Sequence, residues 1–236
     1  MAKISNTPPS EVIDDFFNRS VNKHDIRRTS APFALFVVGI SGSGKSTYIE
    51  GLLRRHSSIN AFPIQADNYR KLHPFLSVLI DKHGIDHAHT KTGNFAKQFS
   101  EKLLDKAFEK RCNVVFGSTF GNTDTAKELL LKARRQGYKV KVLALPMDVD
   151  KSIARNQARY SVKQLVENTL PRIVEPSVIR RMADNLSYTL QEVERLGVEV
   201  TRVTSFDINA KQIEAIFAQS QHNNKRTPNI DDELKP

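Results

Sequence analysis

Residues 33–55 constrain this chain more tightly than any other stretch. Phe33 to Gly39 is an apolar, β-branched run that reads as a buried strand. It passes without a break into Gly39-Ile40-Ser41-Gly42-Ser43-Gly44-Lys45-Ser46, a complete G-x-x-x-x-G-K-[ST] pattern, and residues 45–55 then read as a helix. Glycines at these places let the backbone wrap a phosphate closely, with successive N–H groups turned inward. The helix that starts at Lys45 adds the positive end of its dipole. Lys45 can reach β and γ phosphates, and the Ser46 hydroxyl can ligate magnesium, with Thr47 next on the first turn. Strand, phosphate loop and helix in this order predict a nucleoside triphosphate site over residues 39–47.

Strand and helix signals alternate around that unit. Residues 61–66, 113–116, 139–145 and 198–204 read as strands. Residues 95–110, 125–136, 149–162, 176–196 and 210–219 read as helices, with an irregular stretch at 170–175. This alternation predicts an α/β fold of P-loop NTPase type, a mostly parallel sheet flanked by helices in a single domain. At roughly 150 residues per domain, a chain of 236 residues holds one large domain. Its expected bounds are 31–221. Residues 1–30 read as a polar segment carrying a short amphipathic helix at 11–21, through Val12, Phe16 and Phe17. Residues 222–236 read as a mobile polar tail.

The formal charge is +10, from 36 basic and 26 acidic side chains, and residues 31–221 carry +9 of it. A basic body favours anionic partners. The basic residues have no aromatic interleaving, which argues against a nucleic-acid track. No apolar run approaches the roughly 18 residues of a membrane span. With a single cysteine, Cys112, and no leader pattern, the expectation is a cytoplasmic protein. Cys112 itself reads as core. His83, Asp86, His87 and His89 lie close together in an apparent loop, but structural zinc sites are usually richer in cysteine.

The partner of a nucleoside triphosphate could be water, a metabolite, a protein or a polynucleotide. Asp67 narrows the choice. It follows the second strand in Ile64-Gln65-Ala66-Asp67-Asn68-Tyr69-Arg70-Lys71-Leu72-His73-Pro74, at the sheet edge where ligands bind in open α/β folds. An aspartate there can take the proton of a substrate hydroxyl, as in a kinase. It can equally cap a helix or close a loop.

These residues resemble the zeta toxin family, P-loop kinases of bacterial toxin–antitoxin systems that phosphorylate UDP-N-acetylglucosamine at the 3′-hydroxyl. The resemblance spans about residues 33–207 and is sharpest at the phosphate loop and at Asp67 to Pro74. It implies an ATP-dependent kinase using Mg2+, with Asp67 as catalytic base, Lys45 as the phosphate lysine and Ser46 at the metal. It further implies a sugar-nucleotide substrate, with Glu101 as a substrate-binding glutamate at the start of a helix, and an antitoxin as a possible partner. Arg155 and Arg172 fall near the family's two lid arginines. On their own terms Lys151, Arg155 and Arg159 form a basic stripe at i, i+4 and i+8, usually a solvated face; in a phosphotransferase, lid arginines neutralise charge on the transferring group. The resemblance singles out Arg155 rather than Arg159.

One segment departs from the family. Where it reads Glu-Gly-Thr-Gly-Arg after the third strand, this chain reads Gly117-Ser118-Thr119-Phe120-Gly121. Thr119 is kept as a substrate contact, but an acid and an arginine are missing at Gly117 and Gly121. The departure leaves open a kinase for another metabolite or a polynucleotide, and an ATP-binding protein with faded catalysis.

Overall fold

The computed structural model describes residues 7–56, 59–161 and 174–204. Five strands form one sheet: β1 (Phe33–Val38), β2 (Ala61–Gln65), β3 (Asn113–Ser118), β4 (Lys139–Ala144) and β5 (Glu199–Arg202). Their order is β2-β3-β1-β4-β5, and every pairing is parallel. β1 therefore lies in the middle, and the chain leaves it for opposite sides of the sheet. The crevice at its C-terminal end is the switch point at which such folds bind ligands.

Alternation along β1 sets the layers. Ala34, Phe36 and Val38 face one side, with Phe62, Ile64, Val114, Phe116 and Val142 from the neighbouring strands. That side is covered by α5 (Gly93–Glu109), α6 (Thr123–Arg135) and α8 (Pro176–Arg195), which bury Phe99, Leu103, Leu130, Leu186 and Leu190. Leu35 and Val37 face the other way. α2 (Lys45–Arg55) lies there with Ile49 and Leu52 buried. The helix ends follow local chemistry: the Asn122 side chain accepts the Thr125 N–H at 2.8 Å to start α6, and Pro176 occupies the first turn of α8.

Three segments differ from the sequence expectations. The N-terminal helix, α1 (Ser10–Lys23), is longer than expected and is built into the core. Ile13 and Phe17 are buried; the Phe17 ring lies 5.0 Å from that of Phe62, and Phe16 meets Tyr69 and Phe99 edge-on. Its polar face hid this, because Asp14 and Lys106 pair across the α1–α5 seam. Residues 83–89 are helical rather than a loop: α3 (Leu76–His83) and α4 (Ile85–Lys91) are separated by Gly84 at φ 79°. Asp67 sits on a 3₁₀ helix (Ala66–Leu72) that continues β2. The expected helix at 210–219 and the tail at 222–236 lie outside the described residues. No described helix is long and apolar enough to cross a membrane.

Phe17→Ala should destabilise the fold by about 3–5 kcal/mol, because it opens a cavity against Phe62. Urea unfolding measures this, and a loss under about 1 kcal/mol, the range of surface substitutions, would mean that α1 is not part of the folded core.

Candidate functional site

The phosphate loop holds its shape through two left-handed glycines, Gly42 at φ 81° and Gly44 at φ 90°. Ile40 and Ser43 are buried, while Ser41, Gly42, Gly44, Lys45, Ser46 and Thr47 line an open cleft of about 1100 Å³. Lys45 folds over the loop, its ammonium donating to the carbonyls of Gly39 at 2.8 Å and Ile40 at 2.9 Å. A phosphate entering the loop would take over this ammonium, so the lysine is held at the mouth of the anion site.

Asp67 faces the same cleft. Its Oδ1 accepts from Arg70 Nε at 2.8 Å, and Arg70 is anchored in turn by donating to the His89 carbonyl at 2.6 Å. Arg70 is buried, whereas the Asp67 side chain is nearly half exposed, so the carboxylate is fixed from behind and open in front. His73 packs beneath this segment. It is buried edge-on to Phe95, its Nδ1 accepts the Phe75 N–H, and burial pushes its pKa down, which favours the neutral ring. The His-Pro pair thus closes the turn after the 3₁₀ helix.

The far wall of the cleft is built by α5 and α6. Glu101 lines it, but from the middle of α5 rather than from a helix start, and it pairs with Lys97 at 3.7 Å. Thr119 lines the cleft from the loop after β3. Gly117 stands opposite Gln65 in the β2–β3 register. A Cβ there would lie 3.1 Å from Ile49 Cδ1 and 3.5 Å from Gln65 Cγ. Gln65, which sequence reasoning did not single out, lines the cleft beside Gly117.

The basic stripe on α7 (Val149–Ser161) meets two different surfaces. Arg159 lines the cleft, whereas Arg155 donates to the Gly42 carbonyl at 3.4 Å. One further helical turn separates the two, and it carries Arg159 over the opening. Arg172 lies outside the described residues. The described histidines assemble no metal site: His83 and His87 stack at 4.7 Å on α3 and α4, and no group of three or more metal-ligating side chains occurs among the described residues. Cys112 is buried at the edge of β3, and burial raises its thiol pKa.

A family model described as Zeta toxin matches residues 19–222. No curated protein matches the chain. Among solved structures, one from the PezAT chromosomal toxin–antitoxin system of Streptococcus pneumoniae aligns at TM-score 0.68 and 19% identity, over 84% of this chain and 78% of that one. A protein of Chloroflexus aurantiacus proposed to be a kinase aligns at TM-score 0.56 and 15% identity, over 81% of this chain and 99% of that one. At these identities the two structures establish the shared fold.

Gly42→Ala tests the loop geometry. The new methyl would sit at positive φ and 2.4 Å from the Ser152 carbonyl oxygen on α7. Strain of about 1–3 kcal/mol at such a position should cost at least tenfold in nucleotide affinity while circular dichroism stays native. Calorimetric titration with an ATP analogue checks it; wild-type affinity would show that the loop does not need this turn.

Proposed function

This chain belongs to the zeta toxin family of P-loop phosphotransferases, and from that premise we propose that it transfers the γ-phosphate of ATP to a hydroxyl of a sugar nucleotide such as UDP-N-acetylglucosamine. The observation that carries the reading is the convergence of the phosphate loop, Asp67, Glu101, Thr119 and Arg159 on one cleft. Loop N–H groups and Lys45 bind the β and γ phosphates. Asp67, oriented by Arg70, accepts the proton of the acceptor hydroxyl as its oxygen bonds to the γ-phosphorus. The bond from that phosphorus to the β–γ bridging oxygen breaks, and ADP leaves. Arg159, and Arg172 by the family resemblance, neutralise charge on the transferring group. Arg155, tied to the Gly42 carbonyl, steadies the loop. Glu101 and Thr119 hold the acceptor.

The donor set suits magnesium, which usually takes one or two protein oxygens and completes its shell with phosphates and water. Ser46, lining the cleft at the first turn of α2, would hold it. Bound there, it supplies charge neutralisation on the β and γ oxygens. ATP use fits a cytoplasmic protein, and family membership supports an antitoxin as a possible macromolecular partner.

One observation favours a second reading. The carboxylate that the family carries after β3 is absent at Gly117, where a Cβ would press on the Ile49 terminus. The acceptor could therefore be another metabolite or a polynucleotide, or the protein could bind ATP with weakened transfer.

Incubation with labelled ATP and a panel of UDP-sugars, nucleosides and oligonucleotides separates these readings. Label on a UDP-sugar is the expected result, and label on another acceptor, or on none, overturns the first reading. Lys45→Ala should abolish transfer and weaken ATP binding. Asp67→Asn should keep ATP bound and lose a factor of about 10² to 10⁴ in turnover, the usual cost of losing a general base.

Gly117→Glu tests the missing acid. The Ile49 terminus can give way to the new Cβ, and Gly117 and Ser46 line the same cleft. The variant should raise turnover or saturate at lower magnesium. Lower activity in a folded variant would show that no acid belongs there.

A further inference from the structure

The face of α7 that meets the phosphate loop is polar and buried. Ser41, Ser152 and Asn156 are each less than 5% exposed, although Arg155 and Gln157 on either side of Asn156 are exposed. Asn156 joins the two elements. Its Oδ1 accepts the Ser41 hydroxyl proton at 3.2 Å, and its Nδ2 donates to the Ser152 carbonyl at 2.8 Å. Gly42 completes the fit, because a Cβ there would stand 2.4 Å from both Asn156 Nδ2 and the Ser152 carbonyl oxygen. The helix backbone at Ser152 and the Asn156 amide are thus pressed directly against the loop.

Burying a primary amide is costly unless its groups are paired. Here each end of the amide has a partner, and the two partners lie on different elements. A hydrophobic residue at 156 would fill the space without fixing how α7 is rotated or how far it is shifted along the loop. Asn156 fixes both. Arg159 follows within one turn of the same helix and lines the cleft. Any rotation of α7 about its axis would carry the guanidinium away from the phosphates.

We propose that Asn156 is a positioning residue: it clamps α7 to the phosphate loop and so sets both the loop conformation that binds nucleotide and the reach of Arg159 toward the γ-phosphate. This rests on the loop binding ATP, as proposed above, and it holds whatever the acceptor is.

The test is a set of ATP-analogue titrations with magnesium on the full chain. The variants are Asn156→Ala, Ser41→Ala, Arg159→Ala, their pairwise combinations and Lys45→Ala. Loss of one buried hydrogen bond between loop and helix should weaken binding about tenfold in Asn156→Ala and less in Ser41→Ala. Two results separate positioning from mere structural support. Ser41→Ala should add nothing in the Asn156→Ala background, because one bond joins the two residues. Arg159→Ala should weaken binding in the wild-type background and have little further effect once Asn156 is gone. Ser41→Ala removes only a hydroxyl, so it tests the clamp even if Asn156→Ala fails to fold. Wild-type affinity in folded Asn156→Ala or Ser41→Ala, or an unchanged Arg159→Ala effect in both backgrounds, overturns the proposal. Unchanged affinity in Lys45→Ala would instead overturn the nucleotide-site reading itself.

Discussion

The left-handed turn at Gly42 and Gly44 is the constraint from which the rest of the site is measured. An L-residue with a side chain disfavours φ near 80°, and at Gly42 a side chain would also strike α7. Glycine therefore answers two demands at one position. It lets the loop curl with its N–H groups inward, and it lets a helix more than a hundred residues later in the chain sit directly on that curl. The cleft inherits its geometry from this contact, since Lys45 rides on the loop and Arg159 on the helix.

Parallel topology supplies the other half of the arrangement. With β1 central and β3 beside it, the ends of β1, β2 and β3 open on the same edge. Lys45, Asp67 and Thr119 follow three different strands, yet each emerges at that edge. The aromatic seam beneath them holds the height of the Asp67 segment: Tyr69 stacks on Phe99 at 4.9 Å, and Phe16 of α1 closes both. An N-terminal helix far from the phosphates thereby supports the 3₁₀ turn that presents the candidate base.

The β–α alternation and the phosphate loop were legible because both are local. A strand ending in glycines and a helix opening on Lys45 are written in consecutive residues. What escaped was non-local. The apolar face of α1 is narrow, and its role shows only when α5 and β2 are laid against it. The stripe of α7 carries Arg155 and Arg159 four residues apart, and sequence alone cannot say which of them faces the cleft and which faces the loop. Asn156 gave no signal at all, because an asparagine in a helix reads as surface until its two partners are seen. The 83–89 stretch misled through its histidines, whose polarity masked two short helices broken at Gly84.

The loop after β3 shows how a family segment can change without collapsing. Phe120 stands where the family has glycine, and it keeps the backbone that glycine would adopt, at φ 45°. Holding a bulky residue there costs about 1–3 kcal/mol. Its ring is buried near Phe36, which recovers about 1.5–3 kcal/mol of apolar transfer. The two terms are of the same size, so the substitution is close to neutral for the fold. Ser118 adds a local tie by accepting the Phe120 N–H at 3.2 Å. At Gly117 a Cβ would press on the Ile49 terminus at 3.1 Å and meet Gln65 in ordinary contact at 3.5 Å. Ser118, Thr119 and Phe120 thus form a loop with its own packing and its own hydrogen bond, and it carries Thr119 to the cleft without a charged group at 117 or 121.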